Sequence, residues 1–253
     1  MILDQFNLEG KTAIVTGASR GLGQGIAIAL AEAGCHIVGV STKNSAETEK
    51  QVLELGRGYL DLACDLSSTD GLDGVIEKAV EKFGSVDILV NNSGIIRRNE
   101  AIDFSEKDWD DVMNVNLKSA FFLAQKAARQ MIKQGRGGKI INIASMLSYQ
   151  GGIRVPSYTS SKSGMKGLTM ALANEWAQHG ITVNGIAPGY MATDNTQALQ
   201  DDPVRSKQIL ERIPVGRWGK PSDLGGAAVF LASPASDYVN GYTIAVDGGW
   251  LSR

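Results

Sequence analysis

Tyr158 and Lys162 stand four positions apart in a stretch that reads as helical. That spacing puts both side chains on one helix face, one turn apart. A phenol titrates near ~10 and is mostly protonated at neutral pH. A nearby ammonium stabilises the phenolate and lowers that value, which would make the hydroxyl a general acid or base near working pH. Taken alone, a Tyr-x-x-x-Lys spacing is usually an ordinary exposed pair. Ser145 adds weight, because it ends the apolar run 139–144. A serine there can hydrogen-bond a substrate oxygen without acting as a nucleophile. A Ser–His–Asp hydrolase is disfavoured: there is no Gly-x-Ser-x-Gly, and neither His36 nor His179 is obviously placed to serve.

Side chains so far apart in the chain need a frame. Short apolar runs at 11–16, 35–41, 59–64, 86–90, 138–144, 181–187 and 242–246 predict seven strands. Amphipathic runs at 21–33, 46–56, 68–83, 105–133, 157–178 and 221–232 predict helices, with Ser68 available to cap the third. Alternation of this kind predicts an α/β fold, a single-domain, Rossmann-type, doubly wound parallel sheet of about seven strands with helices on both faces. The 253 residues fit one such domain, 1–253, with no linker dividing it. The segment 189–220 breaks the rhythm, with only short helical pieces near 195–200 and 203–212. A substrate lid is the sharper expectation for so long an insertion, and a plain surface excursion the blander one.

Composition excludes several classes. The chain is 43% hydrophobic and 21% charged, with a net charge of −2. It therefore has no basic field for nucleic acid or anionic lipid. Cys35 and Cys64 sit in strand-like runs and read as small buried hydrophobes. Two distant histidines do not suggest a metal site. No apolar stretch reaches eighteen residues, and Met1, Ile2, Leu3 and Asp4 do not open a signal peptide, so a cytoplasmic location is expected.

Between the first strand and first helix lie Gly17, Ala18, Ser19, Arg20, Gly21, Leu22 and Gly23. Glycines there let backbone N–H groups approach a pyrophosphate, and the helix dipole points to the same place. No Gly-Lys-Ser/Thr follows, so a P-loop nucleotidase is disfavoured. An acid at the end of the second strand would grip a ribose 2′-hydroxyl and repel a 2′-phosphate. Here that strand ends in Ser41, Thr42 and Lys43, with no acid before Glu47. NAD and NADP both remain open on this ground.

On these motifs the chain resembles the short-chain dehydrogenase/reductase family from end to end. Gly17, Gly21 and Gly23 match its TGxxxGxG loop, and Asn91, Asn92, Ser93 and Gly94 its NNAG segment, with serine for alanine. Asn116, Ser145, Tyr158 and Lys162 match its catalytic tetrad. The resemblance implies that Ser145 orients the substrate oxygen and Tyr158 transfers its proton. Lys162 would tune that tyrosine and hold the cofactor ribose, and Asn116 would support a water relay. Gly17, Ser19, Arg20, Gly21, Leu22, Gly23, Ser41, Thr42, Asp65, Leu66, Asn92, Ser93, Gly94, Pro188, Gly189, Met191 and Thr193 would line the dinucleotide site with Tyr158 and Lys162. A homotetramer built through the long helices and the last strand is the family's usual assembly.

Arginines crowd the substrate side: Arg97, Arg98, Arg154 and, at the end of the long insertion, Arg217. Arginine forks match carboxylates. Arg97 and Arg154 are expected to contact substrate with Ser145, Gln150, Tyr158 and Tyr190. The stretches 95–98, 104–113, 146–158 and 237–250 resemble the family branch that interconverts keto sugar acids from pectin and uronate breakdown, mostly with NAD(H). A gluconate dehydrogenase or a 3-oxoacyl thioester reductase is the nearest rival. A non-catalytic nucleotide sensor on the same fold is a more distant one.

Overall fold

The computed structural model describes the backbone of residues 1–253 and every side chain except that of Asn195. Seven parallel strands form one sheet: β1 (Thr12–Thr16), β2 (His36–Ser41), β3 (Tyr59–Ala63), β4 (Ile88–Asn91), β5 (Gly138–Ile143), β6 (Ile181–Pro188) and β7 (Thr243–Val246). Their order is β3-β2-β1-β4-β5-β6-β7. The sheet winds outward in both directions from the β1/β4 boundary, where such folds bind ligands beyond the strands' carboxyl ends.

The strands hold because successive residues feed two cores. Ala13, Val15, Ile88, Val90, Ile141 and Ile143 face a cluster shared with α1 (Gly21–Glu32) and α9 (Gly225–Ala232). Their neighbours Ile14, Leu89 and Ile140 face the opposite cluster. There they meet α3 (Leu72–Phe83), α5 (Ser119–Gln134) and α6 (Pro156–Trp176). The remaining helices are α2 (Ala46–Glu54), α4 (Glu106–Met113), α7 (Gln197–Gln200) and α8 (Pro203–Arg212).

Three details differ from expectation. The third helix begins at Leu72 rather than at Ser68, because Gly71 adopts φ 81° and closes a turn before it. Ser68 Oγ instead accepts a bond from Asp70 N at 3.0 Å within that turn. The expected helix 105–133 is broken into α4 and α5 by a π-helical turn, Asn114–Lys118. A wide turn of this kind often marks a functional position, and Asn116 lies inside it. Finally, 189–220 is not wholly strandless, since Met191 makes an isolated parallel bridge to Gly219.

At the amino ends of the strands, the buried carboxylate of Asp87 fastens the switch point. It accepts from Thr12 N at 3.0 Å and from Ser85 Oγ at 2.7 Å, and pairs with Arg136 at 2.8 Å. Removing it leaves a buried N–H and a buried hydroxyl unpaired. Asp87→Ala is expected to cost about 2–4 kcal/mol in urea or guanidinium unfolding. Turnover per folded molecule should stay close to that of the parent, because the site lies at the opposite end of the strands.

Candidate active site

Strand register brings the functional segments onto one rim. Val15 pairs with Val90, Asn91 with Asn142, Ile143 with Ile186 and Pro188 with Val246. The residues that follow β1, β4, β5 and β6 are therefore neighbours, although they span the chain from Gly17 to Gly189.

The glycine loop and the segment after β4 are tied together by Thr16. Its hydroxyl accepts from the backbone N–H of both Asn92 and Ser93, each at 2.9 Å. Asn92 Nδ2 in turn donates to Thr16 O at 2.8 Å. Gly17 has φ 69° and Gly21 φ 58°, a region where side chains are strained. A Cβ on Gly23 would sit 2.1 Å from Gly17 O, and one on Gly17 would sit 2.8 Å from Asn92 Nδ2. The loop is thus a backbone cradle at the head of α1, and those residues fit a dinucleotide pyrophosphate. Leu22 packs inward against the core, while Arg20 forms an exposed ion pair with Asp194 at 2.7 Å. Thr193 lies over the loop, its methyl 3.8 Å from where a Gly21 Cβ would stand.

The adenosine end is less closely defined. Ser41 Oγ turns back to donate to Lys43 O at 2.5 Å, leaving Thr42 and Lys43 exposed. Asp65 is exposed and accepts from Ser67 N at 2.9 Å. Leu66 is buried, and its carbonyl accepts from Ser119 Oγ at 2.6 Å.

The proton-handling group assembles at the start of α6. Lys162 is 3% exposed, and its ammonium donates to Ile143 O at 2.5 Å. The same ammonium lies 5.8 Å from the Tyr158 ring centre. Burial pushes the lysine down to about 8. Burial also pushes the Tyr158 phenol up, opposed by a hydrogen bond with Ser145 and by the positive charge of Arg98. Burial thus sets the direction of the phenol, and Arg98 is the cation that opposes it. Asn116 clamps the loop that carries Arg98: Oδ1 accepts from Ile95 N at 2.8 Å and Nδ2 donates to Ile95 O at 3.0 Å. Asn116 Nδ2 also reaches Ser161 Oγ at 3.1 Å, and Ser161 Oγ donates to Tyr158 O at 2.8 Å. Gly94 faces this group, since a Cβ there would lie 3.7 Å from Lys162 Nζ.

The arginines divide unequally. Arg97 is held by Asp108 at 3.4 Å and Asp111 at 3.6 Å, and Arg217 by Asp223 at 2.7 Å. Arg154 pairs with Glu100 at 3.1 Å, and its φ of 64° is unusual for a residue with a Cβ. That bend lets its carbonyl accept from Asn99 N at 3.1 Å, joining the Arg98 loop to the head of α6. Arg98 alone of these four has no carboxylate partner among the described residues. Gln150 accepts from Arg212 at 3.2 Å. Tyr190 packs edge-on against Trp218 and Trp250, with ring centres 5.5 and 4.7 Å away. Gly189 presses on Asp247, and buried Met191 follows.

The glycine cradle, the paired Tyr158 and Lys162 and the serine beside them define a class of protein. A family model described as Enoyl-(Acyl carrier protein) reductase matches residues 17–251, and the chain belongs to this family, the short-chain dehydrogenases/reductases. A 2-dehydro-3-deoxy-D-gluconate 5-dehydrogenase of Dickeya dadantii is 67% identical, with all of both chains covered. The Escherichia coli protein of the same name is 65% identical over the same full lengths. The crystal structure of a 2-deoxy-D-gluconate 3-dehydrogenase from Agrobacterium tumefaciens with bound NADP is 52% identical, with TM-score 0.94. The match covers 99% of this chain and 100% of that one.

Gly23→Ala tests the cradle. The added methyl collides with backbone rather than with a movable side-chain tip. The variant is expected to lose nicotinamide dinucleotide binding, read by quenching of protein fluorescence, while its circular dichroism stays close to the parent's.

Proposed function

We propose that this chain is a 2-dehydro-3-deoxy-D-gluconate 5-dehydrogenase, interconverting a hydroxyl and a ketone on a six-carbon keto sugar acid. The observation that carries this reading is Arg98, an unpaired cation whose charge is felt at the Tyr158 hydroxyl. A guanidinium with no carboxylate partner among the described residues, carried on the exposed loop that is clamped to the Tyr158 helix through Asn116, favours a carboxylated substrate. The full-length relatives in Dickeya and Escherichia support the same substrate.

In the oxidative direction Tyr158, as phenolate, takes the hydroxyl proton of the substrate. Ser145 hydrogen-bonds the same oxygen and holds the carbon in line. Lys162, its ammonium 5.8 Å from the Tyr158 ring centre, keeps positive charge near the phenolate and would hold the cofactor ribose; Asn116 fixes the Arg98 loop and, through Ser161, the helix end that carries Tyr158. A nicotinamide dinucleotide held in the glycine cradle would supply the hydride exchange with the substrate carbon. NAD(H) is the favoured partner. The absence of an acid at the end of β2, with Thr42 and Lys43 exposed, leaves room for the 2′-phosphate of NADP(H). Segment 189–220 serves as the lid, with Thr193 and Asp194 resting on the glycine loop. The working assembly is a homotetramer; the groove between α5 and α6, where Phe121, Ile132, Leu172 and Trp176 stand among Gln125, Arg129 and Glu175, supports it. Among the described residues no helix is long and apolar enough to cross a membrane, and we assign the enzyme to the cytoplasm.

A spectrophotometric panel tests the substrate. NADH or NADPH oxidation should be fast with 2,5-diketo-3-deoxygluconate and slow with a 3-oxoacyl thioester; the opposite ranking would sink the proposal. Tyr158→Phe should bind cofactor normally and lose about 10²–10⁴-fold in kcat. The pH dependence has a definite sign. Oxidation needs the phenolate, so its rate should rise with pH until Tyr158 is ionised. Arg98→Gln removes a charge that lowers the phenol, so the rise should move to more alkaline pH. A rise at unchanged or lower pH would rule out the role given to Arg98.

A further inference from the structure

Arg212 ends α8, inside segment 189–220. Its guanidinium carbon lies 4.0 Å from the centre of the Trp250 ring. One Nη donates to Gln150 Oε1 at 3.2 Å. Among the described residues it has no carboxylate partner, whereas Arg20, Arg97, Arg154 and Arg217 all do. A guanidinium carries five N–H donors, and this one spends a single donor on a neutral amide. Stacking on the indole and the bond to Gln150 together set the plane of the fork. The entropy of orienting it is therefore lost before any ligand arrives.

The surroundings belong to the substrate side of the rim. Gln150 follows Ser145 by five positions along one short turn. Trp250, 5% exposed, packs against Tyr190, which follows Pro188 and Gly189 at the end of β6. Trp250 also carries a buried indole N–H with no acceptor. An unmade bond of that kind is costly unless something else accepts it. A stacked, unpaired fork and an orphan donor on the same indole mark a place for ligand oxygen.

We propose that Arg212 determines substrate specificity by binding the carboxylate of the sugar acid, with Gln150 and the Trp250 N–H receiving its remaining oxygens. The assignment rests on the sugar-acid reading above. It gives two arginines that lack a carboxylate partner among the described residues separate roles: Arg98 acts on the Tyr158 side, and Arg212 recognises the acid on the Gln150–Trp250 side.

The test compares the substrate acid with its methyl ester, in the parent and in Arg212→Gln and Arg212→Lys. For the acid, Arg212→Gln should raise KM about 10–100-fold with kcat little changed. Arg212→Lys, which keeps charge but loses the fork, should fall between. The ester should show equal KM values in all three proteins, and the cofactor dissociation constant should not move. An unchanged KM for the acid overturns the proposal. So does equal loss of acid and ester, which would make Arg212 a structural prop for the lid. If the parent itself fails to prefer sugar acids, the functional reading falls along with this one. If the parent prefers them and the variants are indifferent, only the role of Arg212 falls.

Discussion

The hydroxyl of Thr16 accepts two backbone N–H bonds from the chain that leaves β4. At the same point Asn92 donates back to the Thr16 carbonyl. This knot lies where the strand order reverses, between β1 and β4, a crevice that the fold opens without help. Without it, the glycine cradle and the loop toward Arg98 would be two independent segments. With it, the glycine cradle and the loop after β4 are held as one body. The Asn116 clamp on Ile95 continues the same fixation into the catalytic end, and Ser161 carries it to α6.

The electrostatics of the site follow from this packing. Lys162 is enclosed so fully that burial lowers its affinity for a proton, and its ammonium is directed first at a backbone carbonyl. Tyr158 is pushed the other way by the same enclosure, so both groups move toward their neutral forms. Low dielectric makes a single nearby charge count for more than it would in water. Arg98, held on a loop fastened at Ile95 and Asn99, is the charge that opposes the burial of the phenol.

Most of the frame was legible in the residues because buried parallel strands are short continuous apolar runs. Ala13, Ile14 and Val15 leave little choice about where β1 lies, since both of its faces are covered. Functional segments were legible because they begin where those strands end. Other features depend on contacts between distant parts of the chain. No residue type in Asn114–Lys118 announces a π turn, which packs against α6 where α4 passes into α5. The pairing of Arg97 with Asp108 and Asp111 depends on how α4 packs. Arg212 and Trp250 meet only after the long insertion folds over the C-terminal segment. An arginine's type suggests an anion, but its partner is decided in three dimensions.

The link between Arg20 and Asp194 has a consequence for the tempo of the enzyme. Both side chains are mostly solvent-exposed, at 62% and 71%. Dissolved ions screen exposed pairs, and such pairs hold weakly even at short distance. A dehydrogenase must release its nucleotide after each hydride transfer, and in many enzymes that release limits the cycle. A pair immersed in water suits such a cycle, since it can part and re-form without a large barrier. A desolvated pair in the same place would trade turnover for grip.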